Sequence, residues 1–214
     1  MTTAGSLFTA LDRVPLMAIL RGLDPMSAHG IAGALADAGW LAVEVPLNRP
    51  DALRCIEMLR SSWPELVVGA GTVVEADAVA HVRDAGGQYV VAPNLDQAVV
   101  TAAANVSLDC LPGVCTPTEL YTASRLGCRG VKAFPYQMIG SVGLRAMIEV
   151  APPEQKIVAV GGIDDSGLAS VLHSGATAAG IASWLYRPGD RHDEVGRRAA
   201  VLHRIAAASV SRRS

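Results

Sequence analysis

The chain has 214 residues, half of them hydrophobic, and a formal net charge of −2. That is enough apolar material to bury a large core, in one large domain or two small ones. The near-neutral balance excludes the basic footprint of a nucleic-acid or anionic-membrane binder, so the terminal Arg212-Arg213 reads as a frayed tail.

Residues 1–5 lack a basic stretch followed by an apolar one, which argues against a signal peptide. Residues 3–12 read as a short helix. Eight short apolar runs with strand composition then follow, at 16–20, 41–45, 67–70, 89–92, 109–111, 130–134, 157–160 and 178–182. Between them lie stretches of helical length and period, among them 25–38, 50–62, 75–85 and 166–173. Asp24-Pro25, Arg49-Pro50, Thr116-Pro117 and Asp164 mark helix starts. Gly39, Gly86, Gly127 and Gly175 mark helix ends, where a left-handed residue stops the helix at little steric cost. Residues after about 190 form a closing helix. The uncharged stretch 166–186 is broken by Gly167, Gly175 and Gly180 and carries His173, which makes it too polar for a membrane span. Eight strand–helix units predict an α/β fold, a (β/α)8 TIM barrel in a single domain over 1–214 with a short N-terminal helix. The competing architecture is an open doubly wound sheet, disfavoured because no G-x-G-x-x-G follows the first strand.

Cys55, Cys110, Cys115 and Cys128 form no C-x-x-C pair and have no histidines at zinc-finger spacing. They read as reduced, mostly buried thiols of a cytoplasmic protein. His29, His81, His173 and His203 fall on predicted helices and His192 in the last linker. None stands at a strand's C-terminal end, so a histidine metal centre and a Ser-His-Asp triad are not expected. Asp164-Asp165 caps a helix more simply than it binds metal. Trp40, Trp63 and Trp184 read as packing residues, the last of them near the predicted mouth.

In a barrel, chemistry gathers at the C-terminal ends of strands. Arg21, Asn48, Thr72, Pro93-Asn94, Cys115-Thr116, Gly161-Gly162 and Ser183 fall there. Glu44 and Lys132 are the two charged residues inside apolar runs. A buried ammonium costs several kcal/mol in order of magnitude unless it is paired or neutral, and a neutral amine attacks carbonyl carbon. A lysine snorkelling from a strand end is the alternative for Lys132. For Glu44 the alternative is an ion pair with Lys132 or Arg21 that only neutralises the burial. A proton-shuttling carboxylate is the reading placed ahead of it. The glycines at 161–162 and Gly180 to Ser183 suit an anion held by backbone N–H groups and a helix N-terminus.

Gly-Ala-Gly-Thr (69–72), Lys-Ala-Phe-Pro (132–135), Val-Gly-Gly-Ile (160–163) and Glu-Val-Pro-Leu-Asn (44–48) stand in an order that resembles the class I 2-keto-3-deoxy-6-phospho-sugar-acid aldolases. Ile-Leu-Arg-Gly (19–22), Pro-Leu-Asn (46–48) and Val160 bring it closer to the 6-phosphogalactonate branch than to the 6-phosphogluconate branch. The resemblance implies a Schiff base on Lys132 with Glu44 as acid/base group, and no cofactor or metal. It implies that Arg21 and Thr72 hold the substrate's carboxylate, with Asn48 and Val160 at the substrate. Gly161, Gly162 and Ser183 would bind the phosphate, while Pro93 and Phe134 shape the wall. A phosphorylated keto acid as partner and a homotrimer are implied too. Ala182, Tyr136 and Gln137 depart from the family's pattern. A phosphosugar isomerase or epimerase on the same barrel, and a non-catalytic phosphosugar-binding protein, are the rival readings.

Overall fold

The computed structural model describes residues 6–210; residues 1–5 and Arg212-Arg213, on which two of the readings above bear, lie outside the described residues. The strands are β1 (Leu16–Ile19), β2 (Ala42–Pro46), β3 (Val67–Gly71), β4 (Tyr89–Val91), β5 (Asp109–Leu111), β6 (Gly113–Val114), β7 (Gly130–Ala133), β8 (Lys156–Val160) and β9 (Ala178–Ile181). The helices are α1 (Leu7–Arg13), α2 (Pro25–Asp37), α3 (Ala52–Ser62), α4 (Ala76–Asp84), α5 (Gln97–Asn105), α6 (Pro117–Arg125), α7 (Tyr136–Glu149), α8 (Asp165–His173) and α9 (His192–Val210). No helix among the described residues is long and apolar enough to cross a membrane.

The strands form one parallel sheet in the order β5-β4-β3-β2-β1-β9-β8-β7-β6. Its two end strands, β5 and β6, are separated in the chain by Pro112 alone, so the sheet closes on itself. The expected eight runs therefore become nine strands because the fifth is split. Proline has no N–H to donate, and the ladder breaks at it. β5 pairs with β4 before the break and β6 with β7 after it. The Pro112 carbonyl still accepts the Lys132 N–H at 2.8 Å, which stitches the seam. The result is the expected (β/α)8 barrel.

Alternation along each strand sorts the side chains into two layers. Leu16, Ala18, Val43, Val45, Val68 and Ile181 pack outward against the helices. Met17, Ile19, Ala42, Val67, Tyr89 and Val158 are among those that point into the barrel. Leu7, Phe8 and Leu11 of α1 are buried in that inner layer and stop the end of the barrel where the strands begin. Burial of side chains this size stabilises by about 2 kcal/mol each.

Helix boundaries follow the cap signals closely. Asp24 and Asp164 accept backbone N–H groups of α2 and α8, and Thr116 with Glu119 forms a capping box on α6. Gly39, Gly86, Gly127 and Gly175 all carry positive φ. Two boundaries differ from expectation. α3 begins at Ala52, two residues beyond Pro50, and Asp51 makes no side-chain cap bond. His192 opens α9 instead of lying in the linker before it. Cys55, Cys110 and Cys128 are buried and Cys115 is exposed, all four free. Trp40 is buried with its indole N–H donating to the Ala199 carbonyl at 3.1 Å. Trp63 packs over Gly33 and against His29.

Candidate active site

Parallel pairing brings the polar positions to one end of the barrel. Glu44 on β2 is in register with Ile19 and Gly69, while Lys132 on β7 is in register with Gly113 and Val158. Both side chains point inward, only 1% and 6% exposed. Among the described residues neither is in an ion pair or a hydrogen bond through its side chain, and Glu44 Oε2 is buried without a partner. The reading in which Glu44 merely neutralises a neighbour through a direct ion pair therefore does not hold. Burial pushes the Glu44 carboxyl above its ordinary range, and the charges of Lys132 and then Arg21 pull it part of the way back.

The Gly-Ala-Gly motif of β3 now has a steric reason. A side chain at Gly71 would collide with the Glu44 carboxylate, and one at Gly69 with the Tyr89 ring. Glu44 lies across bare backbone, held by shape rather than by a bond. Lys132 Nζ sits 4.6 Å from the centre of the Phe134 ring, a cation–π contact that keeps the amine inside the wall. Val160, 4% exposed, packs against Gly180 in the same layer. A buried amine facing a buried, partnerless carboxylate is equipped to form a covalent bond to a carbonyl and to move a proton beside it.

At the same end of the barrel a cavity of ≈ 490 Å³, lined by neither Glu44 nor Lys132, opens among Arg21, Asn48, Arg49, Ser183, Tyr186 and Arg187. Arg21, Asn48 and Ser183 are thus brought together around one space, as their positions implied. Thr72 and Pro93 stand at the same end of the barrel but outside that lining, Thr72 in a left-handed conformation with φ of 56°. Pro93 sets its carbonyl against Gly113, where a side chain has no room. Gly161 and Gly162 have φ of 117° and 66°. Their backbone N–H groups, like that of Ser183, donate to no partner among the described residues.

At the N-terminus of α8 the Asp164 carboxylate accepts the Gly167 N–H at 2.8 Å, which sets a negative charge at that end of the helix. Of the three departures, Gln137 reaches over Gly162, where its side-chain amide fills the space a Cβ would take. Tyr136 is half-buried against the core, and Ala182 packs at the edge of the inner layer. Trp184 is half-buried.

Two features escaped the sequence reading. Tyr89 points into the barrel from β4 with a buried, partnerless hydroxyl. Burial raises its pKa well above the usual value, and the Glu44 charge raises it further. Strand alternation, carried back from Val91, would have placed it inside. The arginines Arg49 and Arg187 also line the mouth; nothing in their local sequence distinguishes them from surface charges.

Comparison with known proteins agrees with this geometry. The model of the KDPG and KHG aldolase family matches residues 8–197. A Rhizobium meliloti (strain 1021) protein named "Probable 2-dehydro-3-deoxy-6-phosphogalactonate aldolase" is 41% identical over 186 residues, covering 86% of this chain and 88% of that one. The 2-dehydro-3-deoxy-6-phosphogalactonate aldolase of Escherichia coli (strain K12) is 35% identical over 191 residues, 89% of this chain and 93% of that one. A solved structure described as native KDPGal superposes with a TM-score of 0.90 at 34% identity, over 93% of this chain and 97% of that one. With the motifs in order, the barrel closed around Lys132 and Glu44, and these matches over most of its length, the chain belongs to the KDPG and KHG aldolase family.

Proposed function

We propose that this chain is a Schiff-base aldolase that cleaves 2-dehydro-3-deoxy-6-phosphogalactonate to pyruvate and D-glyceraldehyde 3-phosphate. The observation that carries the reading is the placement of Lys132 and Glu44, both buried, facing one barrel interior beneath an arginine-lined mouth. Support for the galactonate epimer comes from Pro46-Leu47-Asn48 and from Val160 on the inner wall.

In this reading the Lys132 amine adds to the C2 ketone, and loss of water leaves an iminium. The protonated imine draws electrons from the C3–C4 bond. Glu44, through a water, takes the C4 hydroxyl proton as that bond breaks. D-glyceraldehyde 3-phosphate departs and a pyruvate enamine stays on the lysine. Protonation at C3 and hydrolysis of the imine release pyruvate and restore the amine. Arg21 grips the carboxylate through two parallel N–H donors, aided by Thr72. Gly161, Gly162 and Ser183 offer N–H groups to the phosphate, whose binding energy orients the reacting end.

Intact-mass spectrometry after incubation with pyruvate and sodium borohydride tests the covalent step. One reduced pyruvyl adduct per chain is expected, mapping to Lys132. The assignment is unusually clean, since the chain has only two lysines. Lys156 lies at the start of β8, at the far end of the barrel, ion-paired with Asp12 at 2.7 Å. No adduct on folded protein would discard the aldolase and favour the isomerase or binding-protein reading.

A homotrimer belongs to the same proposal. On α7, next to the mouth, Met138 and Val142 are 78% and 83% exposed, an apolar surface suited to contact with another copy. Sedimentation equilibrium should report the mass of three chains; a monomer would remove this part of the reading.

A further inference from the structure

The cavity at the mouth holds more positive charge than the substrate's carboxylate requires. Three arginines, Arg21, Arg49 and Arg187, line it, and no carboxylate does. On a chain of net charge −2 this is not the spill-over of a basic surface. None of the three is in an ion pair among the described residues. The neighbouring Asp190 is already used: its carboxylate binds the Arg198 guanidinium and the Arg187 backbone N–H. The Arg187 guanidinium donates through Nε to the Ser183 carbonyl at 3.0 Å. That bond to a neutral carbonyl leaves its charge without a countercharge.

The three arginines divide by position. Arg21 follows β1 and its charge acts on Glu44, whereas Arg49 follows β2 and Arg187 follows β9. Arg49 and the Arg187-Pro188 pair meet over Gly22, whose missing side chain would touch Pro188 Cγ at 3.0 Å and Arg49 Cδ at 3.4 Å. The outer two guanidinium-bearing segments are thereby held together on the rim, along the ends of β2, β1 and β9.

A phosphomonoester carries a charge of about −1.5 to −2 near neutral pH. The donors assigned to it so far, the N–H groups of Gly161, Gly162 and Ser183, are neutral. The α8 N-terminus faces the Asp164 carboxylate instead. Neutral donors alone leave that charge without a countercharge. Resting on the reading above, we propose that Arg187 and Arg49 are specificity-determining residues. They supply the positive charge for the phosphate, and the preference for phosphorylated over unphosphorylated keto acids resides in them.

Arg187→Ala and Arg49→Ala, assayed with the 6-phosphorylated keto acid and its unphosphorylated analogue, test this directly. Each loss is expected to raise KM for the phosphorylated substrate by about ten- to a hundredfold, the usual worth of a charge-assisted hydrogen bond. The unphosphorylated analogue should be turned over as by wild type, and Arg187→Lys should recover part of the lost affinity. Equal losses on both substrates would assign Arg187 a merely structural role through the Ser183 carbonyl. Arg49 guards against that ambiguity, because its side chain makes no hydrogen bond or ion pair among the described residues. Unchanged KM in Arg49→Ala, together with equal losses or none in Arg187→Ala, would overturn the proposal. Borohydride trapping of pyruvate on the same variants keeps the two readings apart. Trapping at the wild-type level with unaltered phosphate preference sinks the arginine assignment alone, whereas no trapping in wild type sinks the aldolase itself.

Discussion

Replacing Lys132 with alanine is expected to lower kcat by roughly ten-thousand-fold or more, since the step it removes is the covalent one and nothing nearby can substitute. Lys156 is held at the opposite end of the barrel by Asp12. Arginine guanidinium at the mouth does not form imines under the same conditions. The fold should survive, because among the described residues the Lys132 side chain has no ion pair to lose, only its contact with the Phe134 ring. Circular dichroism and a thermal melt establish that, and a coupled assay for pyruvate gives the rate. Turnover within tenfold of wild type by a folded Lys132→Ala protein would end the Schiff-base mechanism.

Glu44→Gln is expected to reduce kcat by about a hundred- to ten-thousandfold, the range for loss of a positioned general base. Pyruvate trapping on Lys132 should persist, which separates proton transfer from imine formation. The pH profile adds a second signature. As a base, Glu44 acts when ionised, so kcat/KM falls as pH drops through its pKa. Burial holds that pKa above the ordinary carboxylate range, so the acid limb should lie higher than for an exposed glutamate and vanish in Glu44→Gln. Stability moves oppositely. A carboxyl whose pKa is raised by folding binds more protons folded than unfolded. Stability is then fullest below the unfolded value and declines as pH rises through the folded one, a slope that glutamine abolishes. An acid limb identical in the two proteins would deny Glu44 the role of base.

Much of this was legible in the chain. The eight apolar runs and their caps followed from period, glycine conformation and capping chemistry, all of them local. The split at Pro112 was visible as a residue but not as a break, because whether a strand needs an N–H at one position depends on which neighbour it meets. Glu44 and Lys132 announced themselves as charges inside apolar runs. What holds Glu44 did not, since the bare backbone of Gly71 matters only once β2 and β3 are in register. Asp164 was read correctly as a cap, without the consequence being drawn that its carboxylate sets a negative charge at the start of α8. Arg49 and Arg187 belong to the same class. Three turns of chain must converge before two ordinary surface residues share a rim.

The helix that opens the described chain has a kinetic meaning as well as a structural one. With Leu7, Phe8 and Leu11 filling the floor, the barrel is a sack rather than a tube, and everything that enters must leave by the same door. On the proposed mechanism the fragment attached to Lys132 would lie deepest, with the phosphorylated fragment above it across the exit. In the proposed reaction the sequence of departures is therefore imposed by architecture as well as by bonding: the aldehyde goes first, pyruvate second, and the next substrate waits outside.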